Sequence, residues 1–368
     1  MCDCHHKKEG GVTSIEQGVG FVAMVGGITL ASFRVRNMIK ARQVYNLLFL
    51  LLGGVMAGCS FVADPSESTE ESSTTDIQPQ AASLKVLGIM QDGGAPHIGC
   101  ERPCCRNLFL RPAVDRRVVS IGISDVGTDG RSVGAIIEST PDFTEQLADF
   151  QTWSGLPLER IQLFLTHAHI GHYSGLMYLG REALGADRMP VWVMPRMREF
   201  LTQNGPWDQL VALQNIALNS LSADVAVKVG AQVSITPIRV PHRDEYSETV
   251  GFRIEGPHRS VLFIPDINKW SDWNRSLVSE LKAVDRAYLD ATFYDAAEVG
   301  YRDMAEIPHP FMVETMALLH DLPSEERGKV HFIHLNHTNP CLDSTSNAAA
   351  EIRSLGFYVA TQGDVFAL

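Results

Sequence analysis

Residues 161–172 read Ile161-Gln162-Leu163-Phe164-Leu165-Thr166-His167-Ala168-His169-Ile170-Gly171-His172, and the fold is decided by how they are read. The apolar run 161–165 predicts a buried strand, and the segment 173–184 after it has helical spacing. Three histidines stand between the two. Alternate residues at a strand end share a direction while the backbone stays extended, and a following loop can fold a third imidazole back toward them. Neutral imidazole is the commonest protein ligand for zinc and iron-class ions, whereas three protonated rings in one turn would repel. The bland alternative is a histidine-rich surface turn. A strand-loop-helix setting without charged neighbours argues against it.

Further chemistry-bearing positions follow along the chain. His242 closes Val240-Pro241-His242 after an alternating run at 233–240. Asp266 ends the apolar strand 261–265, and Asp290 ends another in Tyr288-Leu289-Asp290-Ala291-Thr292. His334 and His337 lie in Phe332-Ile333-His334-Leu335-Asn336-His337. His309 sits between Pro308 and Pro310 at the start of a helix predicted through Leu319; the prolines fix the backbone and expose the ring. Cys100, Cys104 and Cys105, with His97 nearby, form Cys-x3-Cys-Cys, which leaves three states open: a structural zinc, a disulfide or free thiols. Cys341 reads as a buried hydrophobe.

In these residues taken together the chain resembles the metallo-β-lactamase superfamily, whose signature is His-x-His-x-Asp-His after a strand. Thr166 to His172 matches it with one departure: Gly171 stands where the family has its aspartate. The resemblance covers residues 84–368 and implies an αββα sandwich, a single catalytic domain of the α/β class. It also implies that His167, His169 and His242 hold one metal, that Asp266 bridges, and that His172 and His334 hold a second. Zinc is the implied ion, with iron or manganese as alternatives. The second position is expected to be weaker because Gly171 removes a carboxylate, and Gly171→Asp is expected to strengthen it provided the loop tolerates a side chain and the backbone there does not have a positive φ.

Within the superfamily the chain is similar to the pyrroloquinoline quinone (PQQ) biosynthesis protein B group. That likeness rests on residues 88–94 before the cysteines, on Tyr173-Ser174-Gly175-Leu176, and on His334-Leu335-Asn336-His337-Thr338-Asn339-Pro340. It implies a cysteine knuckle near Cys100, Cys104 and Cys105, and thereby a structural zinc. Phosphodiesterase relatives carry a histidine at a helix entrance like that of His309, which makes His309 the candidate general acid. His337 is expected to orient His334 or touch substrate, and Asp290 to support the site without being a ligand. The implied activity is hydrolysis of a small ester, lactone or phosphodiester. A metal-dependent oxygenase or accessory role in PQQ biosynthesis, or a non-catalytic metal-binding protein, is the alternative.

Composition bounds the partners. The 368 residues are 45% hydrophobic and 20% charged, enough for a substantial core. A net charge of -12 argues against nucleic acid as the main partner, because phosphate binding needs a basic surface. A small-molecule substrate remains compatible. The N-terminal part reads as an address. Arg42, the apolar stretch 47–56 and Ala57-Gly58-Cys59 describe an export signal ending in a lipobox, with lipid on Cys59. The expected organisation is an extension (1–37) whose Cys2, Cys4, His5 and His6 cluster by chance, a signal peptide (38–58), a lipidated Ser/Thr/Glu/Pro tether (59–83) and the catalytic domain (84–368). That places the protein on the periplasmic side of a bacterial envelope, held to the membrane by lipid; a cytoplasmic protein is the alternative.

Overall fold

The computed structural model describes residues 82–300 and 302–368. The expected extension, export signal and Cys59, with all but the last two residues of the tether, lie outside the described residues. The domain begins slightly before residue 84. Ala82 is buried, and its carbonyl accepts from the Leu368 N–H at 2.8 Å, so the two ends of the domain are tied together.

Among the described residues, fourteen strands form two seven-stranded sheets. The first contains β1 (Ser83–Gly88), β2 (Ser120–Val126), β3 (Ser132–Ile137), β4 (Ile161–Phe164), β5 (Met189–Val193) and β6 (Ile216–Ser220). The second contains β7 (Val227–Lys228), β8 (Ser234–Arg239), β9 (Val250–Glu255), β10 (Ser260–Ile264), β11 (Arg286–Asp290), β12 (Val330–Ile333) and β13 (Tyr358–Val359). The last strand, β14 (Val365–Ala367), returns to pair with β1, giving the orders β14-β1-β2-β3-β4-β5-β6 and β13-β12-β11-β10-β9-β8-β7. Each sheet is antiparallel in one half and parallel in the other, with β3 to β6 and β10 to β13 as the parallel halves.

The apolar runs seen in the sequence follow from burial on both faces, as parallel strands require. Phe164, Phe252, Phe263 and Ile333 point into the core between the sheets. Their neighbours Leu163 and Leu165 face an outer core that also holds Phe143 and Phe150 of the helix Phe143–Ser154. Leu262, Ile264 and Phe332 face the other outer core, which holds Leu281, Met316 and Ile352 from three helices. Helix, sheet, sheet, helix is thus the expected αββα sandwich.

One expected helix is shorter than its spacing suggests. Residues 173–184 give only the end of an α turn (Ile170–Tyr173) and a 3-10 stretch (Ser174–Leu179). The Gly175 N–H bonds to the Ser139 carbonyl at 2.8 Å rather than to its own helix, and a Cβ there would lie 2.2 Å from the Thr140 carbonyl oxygen. Tertiary contact with the end of β3 overrides local propensity. The loops after β3, β4, β8, β10, β11 and β12 meet at one edge, where the Val250 N–H of β9 donates to the Thr166 carbonyl at 3.1 Å and fastens the two sheets.

Candidate metal centre

At this edge the side chains form two donor groups that share Asp266. One comprises His167, His169, His242 and Asp266; the other comprises Asp266, Asp290, His309 and His334, each with donor atoms within 4.8 Å of one another. Asp266 Oδ2 lies 3.3 Å from His167 Nε2, 3.1 Å from His242 Nε2, 3.7 Å from His172 Nε2 and 3.9 Å from His169 Nδ1. Its Oδ1 lies 3.2 Å from His309 Nδ1. Converging lone pairs in so buried a place need a cation or a proton between them.

The imidazole tautomers follow from what lies behind each ring. Thr166 Oγ1 donates to Glu138 Oε1 at 2.5 Å and has one hydrogen, so at 2.8 Å it accepts from His167 Nδ1–H. Thr292 Oγ1 donates to Asp290 Oδ1 at 2.8 Å and by the same logic accepts from His334 Nδ1–H at 2.9 Å. His242 Nδ1–H donates to Asn268 Oδ1 at 3.1 Å, and His169 Nε2–H donates to Glu245 Oε2 at 3.1 Å. In each ring the other nitrogen therefore carries a lone pair turned inward, the orientation that metal-binding histidines take. His167 Nε2, His334 Nε2, both nitrogens of His172 and Asp266 Oδ1 are buried without a hydrogen-bond partner. The donor set and these orphaned atoms fit a divalent metal.

Charge is distributed to match. Burial holds His167 well below the ordinary imidazole range, and His172 beside it adds to the effect. For His172 burial opposes the charged form, but Glu138 outweighs it, with help from Asp92 and Asp266, and the ring is pushed up to about 9. For His309 burial is likewise outweighed, by Asp290 and Asp266, and it too rises to about 9. Burial works against the charge on Asp266, yet His242 and His309 hold it well below the usual carboxylate range. Two of these residues, Glu138 (φ 84°) and His334 (φ 65°), occupy left-handed backbone without being glycine, a strain that concentrates at functional sites.

The structure thus brings His167, His169, His242, Asp266, His334 and His309 together. His172 is beside them, fully buried between Glu138 and Asp266, but outside the tightest group around the second position, where Asp290 and His309 stand instead. Asp290 accepts from the Ile267 N–H, the Thr292 N–H and the Thr292 hydroxyl, and it also stands within the second donor group, where only a supporting role was expected of it. At Gly171 the condition that the loop tolerate a side chain is not met. Its φ is not positive; a Cβ there would lie 2.4 Å from Asp92 Cβ and 2.7 Å from the Asp92 carbonyl oxygen, so Gly171→Asp alone would collide rather than restore a ligand.

His337 does not serve this centre. It joins Cys100, Cys104 and Cys105 in a third group within 4.8 Å, stacked on His97 at 4.4 Å. The thiols are free, with Cys104 Sγ 3.9 Å from Cys100 Sγ and 4.0 Å from Cys105 Sγ. Zn–S bonds of ~2.3 Å in a tetrahedron put sulfurs about 3.8 Å apart, so the spacing matches that of thiolates sharing an ion. The adjacent Cys104 and Cys105 do converge. Glu138, Thr166, Thr292, Asn268 and Glu245 were not singled out in the sequence; an acid closing the apolar strand Ala135-Ile136-Ile137-Glu138 was the one visible signal among them.

Fold and centre together define a metallo-β-lactamase-type protein, and comparison with known families agrees. The β-lactamase superfamily domain matches residues 136–335, more than half of the chain, and the protein belongs to that superfamily. Within it, the chain is similar to coenzyme PQQ synthesis protein B of Acinetobacter baylyi, 25% identical over 308 residues that cover 76% of this chain and 98% of that one. The Methylobacterium radiotolerans protein of the same name is 26% identical over 299 residues, covering 76% and 97%. Among solved structures, zinc-bound PqqB from Methylobacterium extorquens shares the fold with a TM-score of 0.63 and 20% identity, over 78% of this chain and all of that one. A diphosphatase of the PhnP family shares it at 0.51 and 20%, covering 77% and 96%.

Proposed function

We propose that this chain is a metal-dependent hydrolase acting on a small ester, lactone or phosphodiester. The observation that carries the reading is the set of inward lone pairs on His167, His169, His242 and His334 around Asp266, each fixed by an acceptor behind its ring. His167, His169 and His242 would hold one ion, and Asp266 and His334 a second beside His172. Zinc is the ion best matched to this nitrogen and oxygen set, with manganese and iron as alternatives. Bound there, it supplies Lewis acidity, polarising the scissile oxygen and acidifying water.

The protein's own groups do the rest. Asp266 orients the donors from beneath. Asp290 Oδ2 accepts from His309 Nδ1–H at 2.8 Å and favours the charged ring, which leaves His309 Nε2–H to donate to the leaving oxygen. His169 and His309 side chains are each 14% exposed while His167, His172, His242 and His334 are at most 1% exposed, so substrate meets the centre between those two rings. A panel of phosphodiester, lactone and thioester substrates with added zinc or manganese tests this. His169→Ala is expected to abolish turnover, and His309→Ala to lower kcat about 100-fold. A His169→Ala protein as active as the parent defeats the reading.

A second reading is a role in PQQ synthesis, favoured by similarity along nearly the whole length of those relatives. Restoration of PQQ formation in a strain lacking its own protein B would favour it over hydrolysis. An export signal and a lipid on Cys59 would set the domain apart from a cytoplasmic pathway and favour hydrolysis; membrane fractionation of Cys59→Ala checks that placement.

A further inference from the structure

Asp92 belongs to no donor group described above, yet three observations place it at the centre. Residues 89–91 are pinned beside His334, because the Gln91 N–H donates to the Leu335 carbonyl at 2.8 Å and the Leu335 N–H donates to the Ile89 carbonyl at 2.9 Å. On its other side Asp92 lies against Gly171, so closely that a Cβ added to Gly171 would come within 3.0 Å of Asp92 Cα and nearer still to its Cβ and carbonyl oxygen. Asp92 is therefore wedged between the turn that carries His172 and the turn that carries His334.

Its chemistry is that of an anion facing imidazoles. Among the described residues no lysine or arginine pairs with it. Among the described residues its hydrogen-bond partner is the Gln91 side-chain amide, which donates to Oδ1, while the Gly93 N–H, donating to Gln91 Oε1 at 3.0 Å, turns that amide the right way round. The negative charge of Asp92 acts on both His172 and His309 from this position.

We propose that Asp92 supplies a carboxylate to the metal centre on its His172 and His334 side, and that residue 171 is glycine so that the Asp92 loop can approach. The inference rests on the reading of the centre as one that holds two ions. Half-buried and wedged beside both turns, Asp92 would offer Oδ2 to the second position while Oδ1 stays on Gln91.

The test is a titration of the metal-free protein with Mn(II), followed by electron paramagnetic resonance. Manganese prefers oxygen and nitrogen donors, so the cysteine group does not enter the count. The parent is expected to bind two ions with a spin-coupled signal. Asp92→Asn, close in shape, is expected to weaken the second ion at least ~10-fold and to leave an uncoupled single-ion spectrum. Asp92→Glu, which keeps the charge, should recover part of the second affinity, a rescue that a merely structural role would not give. Circular dichroism and melting of the metal-free Asp92→Asn protein, expected to match the parent's, guard against a folding artefact. Asp92→Asn and Asp92→Ala proteins that both bind the second ion as the parent does overturn the assignment of Asp92 and leave the two-ion reading intact. A parent that binds fewer than two overturns both.

Discussion

The two metal-donor regions of this molecule are built in opposite ways. In the histidine and aspartate centre the side chains sit at strand ends, and each coordinating ring is fixed from behind by Glu138 through Thr166, Asp290 through Thr292, Asn268 or Glu245. In the cysteine group the donors lie in a loop and a four-residue helix (Pro103–Arg106), and the described support is the His97 N–H donating to Cys105 Sγ at 3.3 Å with the His97 ring stacked on His337. Burial pushes the Cys105 thiol up to about 12, so without an ion it stays protonated. The first region is braced by side chains behind its donors; the second has little such bracing among the described residues, and it is expected to rely on a bound ion for its rigidity.

The largest effect should come from breaking the second region. A Cys100→Ser/Cys105→Ser protein is expected to lose one zinc per chain and the thiolate charge-transfer band of its cobalt form. Residues 96–110 should become the first site of proteolysis, and stability should fall by ~2 kcal/mol or more. Unchanged zinc content in that variant would remove the contrast altogether. A smaller effect is expected at the braced centre. Thr292→Val deletes the acceptor behind His334 and should weaken metal binding about 10- to 100-fold while the metal-free melting temperature barely moves. If the metal-free protein is strongly destabilised instead, the threonine is a packing residue and not a relay.

The smallest effect concerns Glu298, which lies behind the stretch both regions share and accepts from Thr338 Oγ1 at 2.6 Å. Burial raises its carboxyl from the usual range to about 7, against the hydrogen bonds that favour the charge. A raised acid contributes stability in full below its unfolded pKa of ~4.5 and loses it as pH rises through about 7. Glu298→Gln should therefore flatten stability between pH 5 and 8, with a relative gain at the upper end. Equal melting-temperature differences for the two proteins across that range would dismiss the assignment.

Much of this architecture is legible in the chain. The runs 161–165, 261–264 and 330–334 announce strands buried on both faces, and polar residues that interrupt them at their ends mark the centre: His167, Asp266, Asp290 and His334. What stays hidden is hidden by distance. Glu138 reaches Thr166 across 28 positions, and Asp92 in a glycine-rich turn carries the same local signal as any loop aspartate. His337 misleads for a backbone reason. Three residues after His334 it invites assignment to the same site, but the left-handed turn at His334 sends the chain away toward the cysteines. The lost helix after Tyr173 has apolar spacing that suits a helix and glycines that suit close packing, and packing decides.

That short stretch from His334 to His337 has a consequence for how the protein can change. One ring serves the centre and the other, three positions on, serves the cysteines, with Asn336 held between them by the Thr292 carbonyl. A single inserted or deleted residue here would pull one ring out of place whichever way the loop gave. The segment works as a ruler of fixed length, so a shift in the geometry of one cluster is carried to the other.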